Sequence, residues 1–290
     1  MFKPFHYVEP KTLEEAIQVL SELGTKAKVL AGGTDLLVMM KRKVIYPEYI
    51  VCIKNIRELN YIKFDEESGF KIGALSTHSE IADSSIIRSK FDLLATACKK
   101  VGTPQIRNMG TIGGNICQAG PSQDTIPSLL ALNAKLKLVG SGGERVIPID
   151  RFFIAPFETV LEGKELLTEI QIPTPPLQSG GCYKWITKKS MVDETLVGVA
   201  VYIVADSFAE ICGEIRIGLS SVAPTPFRAR KAEEYLRGKK IDLLLLEQVA
   251  KVVSEETKPR SLADYRRKMT GVLLKRAVEE SWEKIHRTVR

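Results

Sequence analysis

Leu13, Ile17, Leu20 and Leu23 mark one face of a helix in an otherwise polar stretch, and the residues around them set its ends. Thr12 and Glu15 match a capping box at its start, and Gly24 stops it. Short apolar runs flank it: Phe5-His6-Tyr7-Val8 and Lys28-Val29-Leu30-Ala31 read as strands. Leu36 to Met40 predicts a short helix and Tyr49 to Ile53 a third strand. The order β-α-β followed by another crossover predicts a small α/β unit over residues 1–54, with a glycine loop at a strand's carboxyl end.

From Asn55 the pattern changes. Tyr61 to Phe64 and Phe70 to Gly73 alternate as hairpin strands around a Glu/Ser/Gly turn. Thr77 and Glu80 form a second capping box opening a helix, and Phe91 to Val101 predicts another that ends at Gly102 and Pro104. A helix over Thr125 to Leu132 follows, then strands at Ala134 to Val139, Arg145 to Ile149 and Leu166 to Ile172. Residues 173–181, rich in proline and glycine, read as a linker. Beyond it, strands at Tyr183 to Thr187, Leu196 to Ala205 and Ile211 to Ser220 precede helices at Arg228 to Leu236, Ile241 to Glu255 and Ser261 to His286. Strands first and helices afterwards predict an α+β module over 177–290.

Composition narrows the function classes. Of 290 residues, 44% are hydrophobic and 27% charged, as in ordinary soluble domains, and the net charge is +7. Lysine and arginine are scattered, and clusters such as Lys41-Arg42-Lys43 lack interleaved aromatics, so a mixed surface is expected and no nucleic-acid groove. No apolar run reaches the roughly 18 residues of a membrane span. The first residues lack a hydrophobic leader, so a cytoplasmic location is expected. Five cysteines without a C-x-x-C and three dispersed histidines offer no metal-ligand spacing. No Ser-His-Asp or Cys-His arrangement is present, so no catalytic residue is expected and the chemistry would belong to a bound cofactor.

Candidate chemistry gathers in two double-glycine segments, Ala31-Gly32-Gly33-Thr34-Asp35-Leu36 and Thr111-Ile112-Gly113-Gly114-Asn115. Glycine lets a backbone approach a ligand closely and lets amides converge on an anion. Two such segments suit the two ends of a dinucleotide. Neither is G-x-G-x-x-G or a P-loop, and a plain tight turn also fits the first. Asp124 has two readings: a helix cap for Thr125, or an acceptor for a ribose or ribityl hydroxyl.

These segments, with Gln105-Ile106-Arg107-Asn108 leading into the second, resemble the FAD-binding medium subunit of the molybdenum hydroxylases, the xanthine dehydrogenase and carbon monoxide dehydrogenase family. The resemblance runs over essentially the whole chain. It implies an α+β protein with a two-part FAD-binding domain of the PCMH type, residues 1–176 (subunits 1–54 and 55–176), and a C-terminal α+β domain, 177–290. It implies non-covalent FAD held by Lys28, Val29, Leu30, Ala31, Gly32, Gly33, Thr34, Asp35 and Leu36, and by Thr111, Ile112, Gly113, Gly114 and Asn115. Asp124, Leu167 and Trp185 would be further cofactor contacts. The family often has Tyr-x-Lys where this chain has Tyr183-Lys184-Trp185, which moves the lysine to the strand's other face. The resemblance further implies a molybdopterin large subunit and a [2Fe–2S] small subunit as partners. FAD would pass electrons from the clusters to NAD or another acceptor. A free-standing flavin oxidase or reductase of the same broad fold is the competing reading, with Cys117 its one candidate tether.

Overall fold

A computed structural model describes residues 3–190, 192–206, 208 and 210–289. The first unit holds β1 (His6–Val8), α1 (Leu13–Leu23), β2 (Ala27–Leu30), α2 (Leu36–Lys41) and β3 (Tyr49–Cys52), its strands forming a parallel sheet in the order β1-β3-β2. Helix α1 starts where the Thr12 hydroxyl accepts the Glu15 amide at 3.2 Å and stops at Gly24, whose φ of 53° is the left-handed region. Ala16 and Leu20 bury its apolar face in one cluster with Val51 and Ile53. Parallel pairing brings the carboxyl ends of all three strands to one edge.

The second unit contains β4 (Ile62–Asp65), β5 (Gly69–Gly73), α3 (His78–Asp83), α4 (Ser85–Lys90), α5 (Asp92–Lys100), α6 (Pro104–Met109), α7 (Ile112–Gln118) and α8 (Thr125–Ala131). It continues with β6 (Lys135–Gly140), β7 (Gly143–Pro148), β8 (Phe153–Ala155), β9 (Glu158–Thr159) and β10 (Glu165–Ile172). Its five-stranded sheet is antiparallel throughout, in the order β4-β5-β10-β6-β7. Phe70, Ile72, Leu136 and Ile170 from that sheet share one core with Ile81, Leu94, Ile116 and Leu129 from the helices.

The last unit has β11 (Ser179–Thr187), β12 (Thr195–Ala205), β13 (Cys212–Ser220) and β14 (Phe227–Arg228), then α9 (Arg230–Leu236), α10 (Leu243–Glu256) and α11 (Ala263–Val289). Strand β12 is covered on both faces. Ala200 and Tyr202 enter the core of the second unit, while Val199, Val201 and Ile203 enter a separate core with α10 and α11. Gly218 makes the close approach possible: a Cβ there would stand 2.1 Å from the Pro127 carbonyl oxygen of α8.

Three elements differ from the sequence expectation. Ser179 to Gly181 pair along β11 with Val204, Ile203 and Tyr202 and are not linker, because Gly180 lets Ser281 of α11 lie against the strand. Helix α6 begins where Pro104 suggested an end: Thr103 caps it, and proline fits the first helical position. The second glycine segment is the opening turn of α7, capped by Thr111 and anchored by buried Ile112 and Ile116.

Candidate functional site

The first glycine segment meets in space the residues that lead into the second. A Cβ on Gly32 would stand 2.0 Å from the Met109 carbonyl oxygen and 2.9 Å from the Gly110 Cα. Gly32 therefore lets one backbone lie directly on the other. The Thr34 hydroxyl oxygen lies 3.5 Å from where a Gly110 Cβ would be. Gly33 serves differently, since its φ of 77° turns the chain out of β2 and its carbonyl accepts the Leu37 amide at 3.1 Å.

The two sides of this seam offer different chemistry. Among the described residues, the Thr34 and Asp35 amides meet no backbone carbonyl, which leaves them able to donate to an anion. The second segment is internally satisfied: Ile112 donates to Ser76, Gly113 to Ala74, Asn115 to the Thr111 carbonyl and Gly114 to the Thr111 hydroxyl. Here glycine serves packing, because a Cβ on Gly113 would meet Ala74 at 2.7 Å. Positive charge sits close by. The Lys54 ammonium lies 4.0 Å from Met109 Sδ, and a cleft of about 590 Å³ lined by Lys11, Lys54 and Arg57 opens at the carboxyl edge of the parallel sheet.

The remaining expected contacts form a second group joined to the first. Asn115 accepts the Thr125 hydroxyl at 2.6 Å and bonds Gln123 through its amide, which ties Asp124 to α7. Asp124 does not cap α8 through its side chain. Its Oδ1 accepts the hydroxyls of Tyr183 at 2.9 Å and Thr195 at 2.6 Å, and its Oδ2 pairs with Lys100 Nζ at 3.4 Å. Trp185 stacks on Tyr183, ring centroids 5.5 Å apart and planes 19° off parallel. Lys184 bonds Glu280 of α11 beside a cavity of about 320 Å³ that Tyr183 and Trp185 also line. Lys28 is exposed and Val29 half-buried within edge strand β2, and Leu167 is buried in β10. Cys117 packs half-buried against the core, and desolvation pushes its thiol up to about 12, so it stays protonated.

Sequence reasoning missed Lys54, His78, Lys100, Met109, Tyr183 and Thr195. Tyr183 and Thr195 lie 59 and 71 residues from Asp124, and no local pattern signals such a pairing. His78 lines the seam beside Gly110, where a Cβ would meet its ring at 3.2 Å, and its Nδ1 is buried with no partner among the described residues. Burial first, and then the Arg107 charge, lower its pKa from 6.5 to about 4. The unfolded chain therefore takes up this proton first as pH falls. The stability contribution is complete above pH 6.5 and is lost down to about pH 4. That loss should approach about 3 kcal/mol in urea unfolding, at about 1.4 kcal/mol per unit. His78→Gln should flatten the profile in that window; an unchanged slope would show that other groups cause it.

Comparison with known proteins covers both halves of the chain. Residues 3–175 match the family described as FAD binding domain in molybdopterin dehydrogenase, and residues 182–281 match the CO dehydrogenase flavoprotein C-terminal domain. The carbon monoxide dehydrogenase medium chain of Hydrogenophaga pseudoflava is 36% identical over 282 residues, covering 96% of this chain and 97% of that one. The glyceraldehyde dehydrogenase medium chain of Sulfolobus acidocaldarius is also 36% identical, over 97% of this chain and 99% of its own. A solved structure of the H. pseudoflava carbon monoxide dehydrogenase, in a form lacking the Mo-pyranopterin moiety, superposes with a TM-score of 0.93 at 35% identity, covering 98% of this chain and 99% of that one.

Proposed function

This chain belongs to the FAD-binding medium subunits of the molybdenum hydroxylases, and from that premise we propose that it takes electrons from the [2Fe–2S] clusters of a small partner subunit and delivers them to NAD or another acceptor. In this reading Lys28 to Leu36 and Thr111 to Asn115 hold the FAD diphosphate, Asp124 takes a ribose or ribityl hydroxyl, and Leu167 and Trp185 stand on the flavin side. Residues 1–176 are the FAD-binding domain and 177–290 the C-terminal domain. Molybdopterin resides on a large partner subunit, and the complex is cytoplasmic.

The observation that carries the reading is the contact of Gly32 with Met109, which sets the first glycine segment against the approach to the second, with the Thr34 and Asp35 amides meeting no backbone carbonyl among the described residues. Bound FAD supplies the electron exchange. The chain's residues bind and orient it. Thr34 and Asp35 would donate to the charged bridge, and Lys54 would offset its charge. Asp124 would fix a hydroxyl. The protonated Cys117 thiol favours non-covalent binding.

The purified chain should be yellow, its flavin should leave the protein on acid precipitation, and anaerobic NADH should bleach it. Colourless protein that ignores added FAD overturns the reading. Flavin retained in the acid pellet overturns the non-covalent mode. Flavin reduced by a dye donor but never by NADH moves the acceptor away from NAD.

A further inference from the structure

A lysine ammonium taken out of water must find acceptors or lose its charge. Lys100, in the last turn of α5, is 5% exposed. Its Nζ finds two acceptors, Asp124 Oδ2 at 3.4 Å and the Asp193 carbonyl at 3.2 Å. Asp124 is held from the other side by Tyr183 of β11 and Thr195 of β12, both on Oδ1. A carboxylate offers about four acceptor positions. Among the described residues two on Oδ1 and one on Oδ2 are occupied, which leaves a single position, on the oxygen that Lys100 touches. The Asp124 side chain is 11% exposed, so it is not wholly sealed from solvent.

We infer that Lys100 is a positioning residue for FAD: it orients the one open acceptor of Asp124 and supplies the buried positive charge that makes the site hold reduced FAD more tightly than it otherwise would. The inference rests on the reading that Asp124 meets an FAD hydroxyl. Three donors from three segments fix the carboxylate plane, so the open position has one direction. Without Lys100, Oδ2 loses its only donor among the described residues, and an uncompensated carboxylate faces a cofactor that gains negative charge on reduction. Binding of the reduced form should then weaken more than binding of the oxidised form.

The test uses the full chain and FAD itself, with dissociation constants for both redox states and the bound midpoint potential from dye-equilibrated titration. Lys100→Met should weaken oxidised FAD about tenfold and reduced FAD a further tenfold, the second factor lowering the midpoint by about 30 mV for a two-electron couple. Lys100→Arg should recover most of both. Lys100→Gln keeps a donor without the charge, so it should bind oxidised FAD almost normally while its midpoint still falls; it decides the matter if Lys100→Met does not fold. Wild-type constants and midpoint in Lys100→Met, or a wild-type midpoint in Lys100→Gln, overturn the inference. Asp124→Asn separates the two layers. If it binds FAD as wild type does, the placement of Asp124 is wrong. If it loses FAD while the Lys100 variants bind normally, only the role of Lys100 fails.

Discussion

Gly32→Ala is expected to raise the dissociation constant for FAD by at least about 100-fold. The added methyl would stand 2.0 Å from the Met109 carbonyl oxygen and 2.8 Å from its carbon. Both are backbone atoms and cannot rotate aside, so the two segments must separate. Overpacking of this kind costs about 3 kcal/mol, which is about two decades in affinity. Gly32 shows no left-handed φ, so the effect isolates close approach from backbone strain, unlike a substitution at Gly33 with its φ of 77°. The flavin-to-polypeptide ratio after purification reads the result, and urea unfolding shows whether the core survives. Stoichiometric flavin in this variant would mean that the cofactor does not need the seam closed.

Glu233→Ala should lower stability by about 4 kcal/mol, roughly 10 °C in the melting temperature. Glu233 is 1% exposed, and both its oxygens face Arg228 at 2.8 Å in a bidentate pair. It also accepts the Ile217 amide of β13 at 2.9 Å, which fixes α9 to the sheet. Removing it strands a guanidinium whose side chain is 8% exposed, together with an unpaired amide. The double variant Arg228→Met, Glu233→Leu should recover the part of the loss due to the stranded guanidinium, leaving only the cost of the unpaired Ile217 amide. A drop below about 1 kcal/mol in Glu233→Ala would mean that water reaches Arg228.

Much of the fold could be read locally. Thr12 and Thr77 announced two helices because their caps need only residues three apart, and the Tyr61–Phe64 and Phe70–Gly73 hairpin announced itself by alternation around a short turn. The second glycine segment misled as a loop because two glycines penalise a helix, and the Thr111 cap and the burial of Ile112 and Ile116 outweigh that penalty only once the core exists. Gly180 and Gly181 misled in the same way: they read as linker until α11 lies on Gly180 and Leu93 of α5 packs against Gly181. At the site, the glycines and Asp124 were legible as chemistry in want of a ligand. Lys100 was not, because a lysine in a helical pattern reads as solvated, and only tertiary packing buries it beside a carboxylate 24 residues on.

The alternating faces of β12 constrain ancestry as well as folding. Ala200 and Tyr202 complete the interior of the preceding half, Tyr202 lying edge-on to Phe91 at 5.9 Å, while Val201 and Ile203 belong to the following half. A chimaera joined near residue 177 would graft foreign side chains into the host's centre. Shuffling among relatives should therefore tolerate breakpoints only where such partners travel together, so that the two halves are inherited as one.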